Sequence, residues 1–528
     1  MKCVLPLVPM VALAVLAVPF IIAEYDAESE PIEFEDGLFT FSTLDGTRVA
    51  AIEYDNDNAE EVVEIPRQVE HDGITYVVTA LSCSFYSERI TTVKIHEYIS
   101  KVDPGLIREG SNIEAFIVSA RNSDLYSFDG VLFDAKARQL LAFPKASTIP
   151  FYLVPESVSI IGESAFAGCN GLSSVNFYKS GLTEIGYMAF ANCENLQYIN
   201  YVDGMNTLPD TLRLIENEAF RNCPNLSSFV FPESLKIIGF QAFDSTSIAT
   251  VNIPSEIVYI GDCAFGNCGE LTTITSNSPT YIVEDNVLFE VGKDLRTIVT
   301  YPAGKPDAVY TIDNEVTSIA DMAFAGTKYL KKVILPDGAL FIPEGSFSNC
   351  TSLEEIDLTG IVLVDSLAFF GCTNLKTVTF GNGLTTIDSS AFERCGLEEV
   401  VLPSSITYIG SFAFSKCENL KKFTIPDYSL TEINYGAFIG CTNLEEIDLL
   451  STGIILDEGS LNIAQGSPMT VDIIKPKKYQ IQSNAVTDDL TTLSIHDIGE
   501  RPYPMENLIG VAFCVLILIL IARFFRKV

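Results

Sequence analysis

The chain has 528 residues, 48% of them hydrophobic, so it is long enough to bury a large core in several domains or in one repetitive array. Asp and Glu outnumber Lys and Arg by 69 to 33, which gives a formal net charge of −36. A surface this acidic repels phosphate backbones, so we expect no nucleic-acid partner, and it favours solubility and basic or cationic partners.

The first segment has the pattern of a secretory signal peptide. Lys2 is followed by an apolar run from Val4 to Ile22, and Ala23 precedes an acidic segment. We therefore predict a signal peptide at residues 1–23, with cleavage after Ala23. An uncleaved anchor is the alternative, although prolines within the run disfavour a stable spanning helix. These prolines are Pro6, Pro9 and Pro19.

Residues 24–76 are predicted to form a β-rich cap. The acidic segment from Pro31 to Val78 alternates in short β-like runs, and it precedes a repetitive region. The terminal coil of a stacked array has to shield the apolar core from water, so departures from a repeat are expected there. The runs ITTVKI from Ile90 and IEAFIV from Ile113 are predicted to be strands of degenerate first repeats.

From about residue 77 to residue 474 the sequence repeats. The dipeptide Ala-Phe, once replaced by Ser-Phe, recurs mostly every 22 to 24 residues. An aliphatic residue lies five positions before each phenylalanine, and a cysteine or threonine lies three positions after it. A short alternating run such as LEEIDL from Leu353 follows and is typical of a strand. The repeated phenylalanines are Phe166, Phe190, Phe220, Phe243, Phe265, Phe324, Phe347, Phe369, Phe392, Phe414 and Phe438.

One such unit cannot bury its own apolar side, whereas stacked copies can, because equivalent residues of successive coils pack on one another. The sequence therefore predicts a leucine-rich-repeat solenoid over residues 77–474, with a curved parallel β-sheet on the concave face and irregular or short helical turns on the convex face. Two matching segments predict β-hairpin inserts near 127–144 (SFDGVLFDAKARQLLAFP) and 284–302 (EDNVLFEVGKDLRTIVTYP). The second insert accounts for a spacing of 59 residues between Phe265 and Phe324.

The repeat I-x-x-x-A-F-x-x-C-x-x-L-x-x-V-x-I-P resembles that of BspA-like leucine-rich-repeat proteins, which are cell-surface proteins of bacteria, archaea and protists. The two insert segments resemble the D-G-V-L-F inserts of the same family. The resemblance covers roughly three quarters of the chain. It implies attachment to host or matrix proteins, glycans or other cells, none of which follows from the spacing alone.

The C-terminal segments are predicted to tether the protein. Residues 475–504 lack the repeat and are predicted to be a cap or stalk. Residues 505–525 are predicted to be a transmembrane helix, and the basic residues near its end place the tail at 526–528 in the cytoplasm. This topology predicts a single-pass cell-surface protein with its N-terminal side outside. A sorting signal cut by a cell-wall transpeptidase is the alternative, but no LPxTG-like motif precedes the run.

The residue types that commonly carry chemistry are predicted to be buried packing residues or solvated surface residues in this sequence. Nine of the 13 cysteines occupy one repeat position that also accepts threonine, which predicts buried packing residues, with Cys263 the most conceivable disulfide partner. The three histidines lie far apart and are predicted to be surface residues. Acidic pairs such as Glu354 and Glu355 are predicted to be solvated rather than a glycosidase pair. We predict no catalytic residue, no cofactor and no metal ligand.

The predicted function is that of a cell-surface binding or adhesion protein, whose repeat face binds an extracellular protein or glycan. A structural coat protein that self-associates is the alternative. An enzyme is disfavoured because the segments outside the solenoid are short for a catalytic domain. Side chains alternate across a strand, so the polar residues between the apolar ones are expected to form one exposed column, which either binds the partner or merely keeps the sheet soluble. The predicted binding residues are Lys332, Glu355, Asp357, Glu399, Lys422, Glu446 and Asp448.

Overall fold

The computed structural model describes most of the chain between residues 31 and 498. The described ranges are 31–103, 105–106, 111–177, 179–200, 206–227, 229–425, 432–449, 455–463, 469–476, 481, 484–487 and 491–498. The predicted signal peptide at 1–23, transmembrane helix at 505–525 and tail at 526–528 lie outside these residues, as does part of the predicted stalk at 475–504. Within the described ranges, no helix is long and apolar enough to cross a membrane. The described residues form two compact units, one up to Asn195 and one from Leu196 onward.

The first unit begins with a mixed sheet. Its strands are β1 (Glu33–Asp36), β2 (Phe39–Thr43), β3 (Arg48–Tyr54), β5 (Gln68–His71), β6 (Ile74–Leu81) and β8 (Lys101–Val102). The strand order is β1-β2-β3-β6-β5, and β8 pairs with β6. The pairs β3–β6 and β6–β8 are parallel, whereas the other pairs are antiparallel. Apolar side chains of alternate residues, such as Phe41, Val49 and Val78, are fully buried beneath the sheet.

Most coils of the repeat contribute two strands, where the sequence predicted only one. The alternating run forms one strand, typically of three or four residues, which we call the long strand. A second strand of two residues, the short strand, ends at the aliphatic residue five positions before the phenylalanine. In the first unit the long strands are β4 (Val62–Glu64), β7 (Thr92–Ile95), β9 (Ala115–Val118), β13 (Phe151–Leu153) and β15 (Ser174–Asn176). Its short strands are β14 (Ile160–Ile161) and β16 (Glu184–Ile185).

The second unit has the same two kinds of strand. Its long strands are β17 (Tyr198–Ile199), β18 (Asn206–Thr207), β20 (Phe229–Val230), β22 (Thr250–Ile253), β24 (Thr273–Ser276), β28 (Val309–Thr311), β30 (Lys332–Ile334), β32 (Glu355–Leu358), β34 (Thr377–Phe380), β36 (Glu399–Val401), β38 (Lys422–Ile425), β40 (Glu446–Leu449), β42 (Met469–Pro476) and β43 (Thr491–Ile498). Its short strands are β19 (Leu214–Ile215), β21 (Ile237–Ile238), β23 (Tyr259–Ile260), β29 (Ser318–Ile319), β31 (Phe341–Ile342), β33 (Leu363–Val364), β35 (Thr386–Ile387), β37 (Tyr408–Ile409), β39 (Glu432–Ile433) and β41 (Ile455–Leu456).

Parallel, in-register pairing stacks equivalent residues of successive coils. On the short strands Val364 pairs with Ile387, which pairs with Ile409, and all three side chains are fully buried. Between the two strands of each coil the repeated phenylalanines stack in the same way. The rings of Phe369 and Phe392 are 5.1 Å apart at an interplanar angle of 10°, and neither is exposed. Burial of each such ring contributes about 1.5–3 kcal/mol, so the stack provides much of the stability of the coils.

The connection that carries the phenylalanine is a turn and not a helix. All regular elements in the described part of the chain are strands, so of the two predicted alternatives only irregular turns are found there. Left-handed residues two positions before and two positions after the phenylalanine explain this, as at Leu367 (φ 59°) and Gly371 (φ 74°) around Phe369. A positive φ every four residues interrupts an α-helix, and glycine and asparagine adopt it at little cost. They occupy the later position at Gly168, Asn192, Asn222, Asn267, Gly326, Asn349, Gly371 and Gly440.

Each insert has three antiparallel strands rather than the two of a predicted hairpin. They are β10 (Leu125–Phe128), β11 (Val131–Asp134) and β12 (Gln139–Ala142) in the first unit, and β25 (Tyr281–Glu284), β26 (Val287–Val291) and β27 (Arg296–Thr300) in the second. The last strand of each pairs in parallel with the following short strand. The next aromatic residue then stacks on the repeat, Phe143 on Phe166 at 5.0 Å and Tyr301 on Phe324 at 5.1 Å. Each insert therefore ends in a coil of its own, which the sequence signalled through an aromatic residue 23 positions before the next phenylalanine.

Candidate ligand-binding surface

The long strands of the second unit carry the seven predicted binding residues in two groups. One group, Lys332, Glu355 and Asp357, lies on β30 and β32, and the other lies on β36, β38 and β40. The strand between them, β34, pairs with β32 through the uncharged Thr377 and Thr379, and the two groups belong to separate hydrogen-bonded sheets. The predicted column of charge is therefore interrupted once. The second group consists of Glu399, Lys422, Glu446 and Asp448.

Most charges of these two groups are paired across neighbouring coils. Lys332 lies opposite Glu355 in the register, with 2.6 Å between Nζ and Oε1. Lys422 lies opposite Glu446 and contacts it, and its Nζ is 3.0 Å from Oδ2 of Asp448. Hydrogen bonds to both carboxylates raise the pKa of Lys422. Exposed pairs of this kind stabilise a fold by less than about 1 kcal/mol, so they neutralise the surface more than they hold it together.

Asp448 differs from the prediction of an exposed side chain, because only 8% of it is accessible. The neighbouring coil covers it: the Thr424 hydroxyl donates to Oδ2 at 3.3 Å, and Lys422 reaches the same oxygen. Its Oδ1 has no hydrogen-bond partner among the described residues. Asp357 and Glu399 are exposed as predicted, and Asp357 accepts a hydrogen bond from the Thr359 amide at 2.9 Å.

The repeated cysteines are confirmed as packing residues. None of the cysteines in the described ranges forms a disulfide, Cys263 included, and all of them are buried. The Cys372 thiol donates to the carbonyl of Phe347 in the preceding coil at 3.0 Å, whereas the Thr246 hydroxyl donates to the carbonyl of Phe243 in its own coil at 2.8 Å. Burial raises the pKa of Cys268 and Cys417 to about 12. Neutral thiols are poor nucleophiles, so these two cysteines are structural.

The histidines belong to no metal-binding cluster in the described part of the chain. The prediction of a surface position is wrong for His96, which is 7% exposed. Its Nε2 donates to the Pro66 carbonyl at 3.0 Å and its Nδ1 accepts from the Tyr98 amide, while burial lowers its pKa. His96 is therefore a neutral, mostly buried residue. No cluster of His, Cys, Asp and Glu among the described residues could hold a metal ion.

One trio on the last two strands has the composition of a hydrolase triad. Asp472 Oδ1 and Ser494 Oγ each lie 3.3 Å from His496 Nε2. A catalytic relay needs the carboxylate and the nucleophile on opposite ring nitrogens, because the proton has to pass through the imidazole. Both partners share one nitrogen here, so this arrangement does not form a relay.

An open groove of about 650 Å³ lies on the long strands of the first unit. Its charged lining residues are already paired, Lys94 with Glu64 at 2.5 Å and Arg67 with Glu97 at 3.2 Å. The remaining lining includes the exposed Ile117 and the neutral His96. The groove therefore offers no group of uncompensated charges to a ligand.

The short strands of the second unit carry a feature that sequence reasoning missed. A carboxylate follows the short strand in each of several coils, at Asp262, Asp321, Glu344, Asp365 and Asp388. Burial is the largest cause of the raised pKa of Glu344. The negative charges of its neighbours raise this pKa further, and these neighbours are Asp321, Asp365 and Asp388. Burial, Asp321 and Glu290 raise the pKa of Asp262 to about 6. The recurrence of Asp or Glu three or four positions before the phenylalanine was the available signal.

A comparison with known protein families agrees with the repeat. The family profile described as BspA type leucine rich repeat region matches residues 141–208, 205–303, 309–401 and 342–462, which together are more than half of the chain. No curated protein sequence matches significantly. A leucine rich cell surface protein from Faecalibacterium prausnitzii is 23% identical, with 83% of this chain and 100% of that chain covered and a TM-score of 0.46. A leucine-rich repeat protein from Eubacterium ventriosum is 22% identical, with 73% and 95% covered and a TM-score of 0.48.

The pneumococcal vaccine antigen PcpA is 17% identical, with 89% of this chain and 99% of that chain covered and a TM-score of 0.42. Because these identities and TM-scores are low, the family assignment rests on the profile match and on the repeat. Leucine-rich-repeat folds are generally binding scaffolds without enzymatic activity, and the family suggests a protein-interaction or surface role. The predicted resemblance is confirmed: this chain belongs to the BspA-type leucine-rich-repeat family.

Proposed function

We propose that this protein is a cell-surface adhesion protein that binds an extracellular protein or glycan with the long strands of its second unit. The observation that carries the proposal is the register of exposed polar residues on successive parallel strands, such as Glu399 opposite Lys422. The proposal includes anchoring in the membrane through residues 505–525, with the N-terminal side outside. The surface or interaction role of the family supports it.

The geometry suits an extended ligand. Neighbouring strands of a sheet are about 4.8 Å apart, so one ligand can contact the side chains of several coils at once. The existing pairs do not prevent this, because the Lys332 and Glu355 side chains remain 43% and 49% exposed and such pairs exchange partners at little cost. Asp357 and Glu399 have no ion-pair partner among the described residues, so they are the anionic groups most available to a ligand.

The experiment uses the soluble ectodomain, residues 24–500, on an array of extracellular proteins and glycans. Reversal of Glu355, Asp357 and Glu399 to lysine should leave the circular dichroism spectrum unchanged and weaken capture of the bound array member. Reversal of the exposed Glu256, Glu315 and Glu418, which lie outside these strands, changes the net charge equally and should have little effect. Undiminished capture by the first triple variant would rule out the long strands as the binding site.

Two further outcomes bear on the proposal. Capture of the ectodomain by itself, and by no array member, would overturn adhesion in favour of a self-associating surface coat. Protease added to intact cells should digest the repeats if they are outside. Repeats that survive on sealed, viable cells would contradict the surface location.

A further inference from the structure

Two coils of the second unit expose a contiguous group of large apolar side chains on their short strands and at the residues just before them. Leu340 is 59% exposed, Phe341 is 53% exposed and Val362 is 39% exposed. The register pairs Phe341 with Leu363, which is partly exposed, and the Val362 amide donates to the Leu340 carbonyl at 2.7 Å. These four residues are the short-strand patch.

The short-strand patch is confined to these two coils. The equivalent residues of the following coil are Thr385 and Thr386, and those of the preceding coil are Thr317 and Ser318. Elsewhere in the second unit, Val258 and Tyr259 form an exposed apolar pair at β23, but it is limited to a single coil, because the equivalent residues of the preceding coil are Lys236 and Ile237. Exposed apolar residues of the long strands stand further apart, as do Ile334 on β30 and Val401 on β36. An exposed apolar group with polar residues on both sides is a common mark of an interaction surface.

Carboxylates lie beside the short-strand patch, on the segments that follow its two short strands. Glu344 follows Phe341 by three residues, and Asp365 follows Leu363 by two. Asp321 and Asp388 occupy the corresponding places in the coils on either side. No Lys or Arg of the described ranges forms an ion pair with any of these four, whereas Glu355 and Glu446 of the long strands are each paired with a lysine.

We propose that the short-strand patch and its bordering carboxylates form a second binding site, separate from the long strands, for a cationic amphipathic polypeptide segment. Leucine-like side chains of the segment pack on Leu340, Phe341, Val362 and Leu363. Its lysine or arginine side chains lie against Glu344 and Asp365, where they replace the repulsion between neighbouring carboxylates with attraction.

The charges select this occupant over others. An anionic partner such as a nucleic acid or an acidic lipid surface would meet Asp321, Glu344, Asp365 and Asp388 and be repelled. A second copy of this chain that docked by the same face would bring two such columns together. A basic amphipathic segment satisfies the apolar residues and the carboxylates together, and its positive charge also speeds its association with an acidic protein.

The first test measures binding of a labelled synthetic peptide of alternating Lys and Leu pairs to the ectodomain, residues 24–500, by fluorescence anisotropy. The double variant Leu340→Ser, Phe341→Ser leaves the net charge unchanged, and we expect its affinity to fall at least about tenfold because two large apolar contacts are lost. A matched peptide with Ser in place of Leu should bind the native ectodomain at least about tenfold more weakly. Equal binding of both peptides would overturn the proposal without any variant.

The second test separates this site from the general attraction of a cationic peptide to an acidic protein. The test variant is the pair Glu344→Gln, Asp365→Asn, and the control variant is the pair Glu418→Gln, Glu445→Gln. Each variant removes two negative charges from the second unit. We expect the first pair to weaken peptide binding severalfold and to reduce its salt dependence, and the control pair to leave it within about twofold. Equal weakening by both pairs would overturn the proposal in favour of general attraction.

Two controls keep this site distinct from the long strands and from self-association. The triple reversal of Glu355, Asp357 and Glu399 should leave peptide binding to the short-strand patch in place, whatever it does to capture on the array. Light scattering reports the oligomeric state of the ectodomain. A dimer that Phe341→Ser dissociates would make a second copy the occupant and overturn the peptide proposal.

Discussion

The long and the short strands of the second unit are built from the same coils, yet their charges are arranged in opposite ways. On the long strands a lysine stands beside a carboxylate, as Lys332 does beside Glu355. Beside the short strands, Glu344 has three carboxylates as its charged neighbours. Stacking at a fixed register places each residue next to its equivalents, so a position that alternates in sign neutralises itself and a position that repeats one sign accumulates charge.

The largest expected effect comes from the core that both kinds of strand share. Phe369→Ala should lower the free energy of unfolding by about 3–5 kcal/mol, because it leaves a cavity between two stacked rings. Cys372→Thr should cost far less, since Thr246 and Thr327 already occupy that position in a buried state. Urea unfolding of the ectodomain measures both. Equal and severe losses would contradict the account of the cysteines as packing residues.

A carboxylate beside the short strands should be destabilising at neutral pH. Asp262 has a folded-state pKa of about 6 against an ordinary value of 3.8, so its cost is fully present above pH 6 and is relieved as the pH falls toward 3.8. Asp262→Asn should therefore raise the free energy of unfolding by about 2 kcal/mol at pH 7.5 and by much less at pH 4.5. Urea unfolding at both pH values tests this, with the exposed Glu256→Gln as the control.

A comparable change on the long strands should have the opposite sign. Lys422→Met leaves the covered Asp448 without its cation, so we expect the free energy of unfolding to fall by about 1 kcal/mol. The adjacent, exposed Lys421→Met carries the same charge change and should have a smaller effect. If Lys422→Met and Asp262→Asn shift stability in the same direction, the contrast between the two sets of strands is wrong.

The smallest expected effect concerns the cysteines between the two sets of strands. A reducing agent should leave the thermal midpoint of the ectodomain unchanged, because its cysteines form no disulfide. Thiol reagents should react only as the protein unfolds, since burial keeps groups such as Cys417 protonated and inaccessible. Fast labelling of the native ectodomain would contradict this, and a lower midpoint after reduction would indicate a bridge.

The sequence by itself determined the period, the family and the core of the solenoid. A phenylalanine and a cysteine recur at fixed positions of the repeat, as Phe369 and Cys372 do in one coil. A unit of about 23 residues that cannot bury its own apolar side has to stack on its neighbours. Stacking in register then makes each repeated position a column, so the burial of Phe369 and the packing role of Cys372 followed from the repeat alone. The alternation within the long strands likewise predicted that Asp357 and Glu399 are exposed.

Only the tertiary structure decided what lies beside each residue in the neighbouring coils. Asp448 is covered because Lys422 and Thr424 of the preceding coil contact it, and alternation within one strand does not report that contact. Each short strand has only two residues, which is too few to show a periodic pattern in the sequence. Pairing of the short strands across successive coils nevertheless makes them a sheet. The accumulated charge around Glu344 has the same origin, because residues that lie far apart in the sequence become neighbours only when the coils stack.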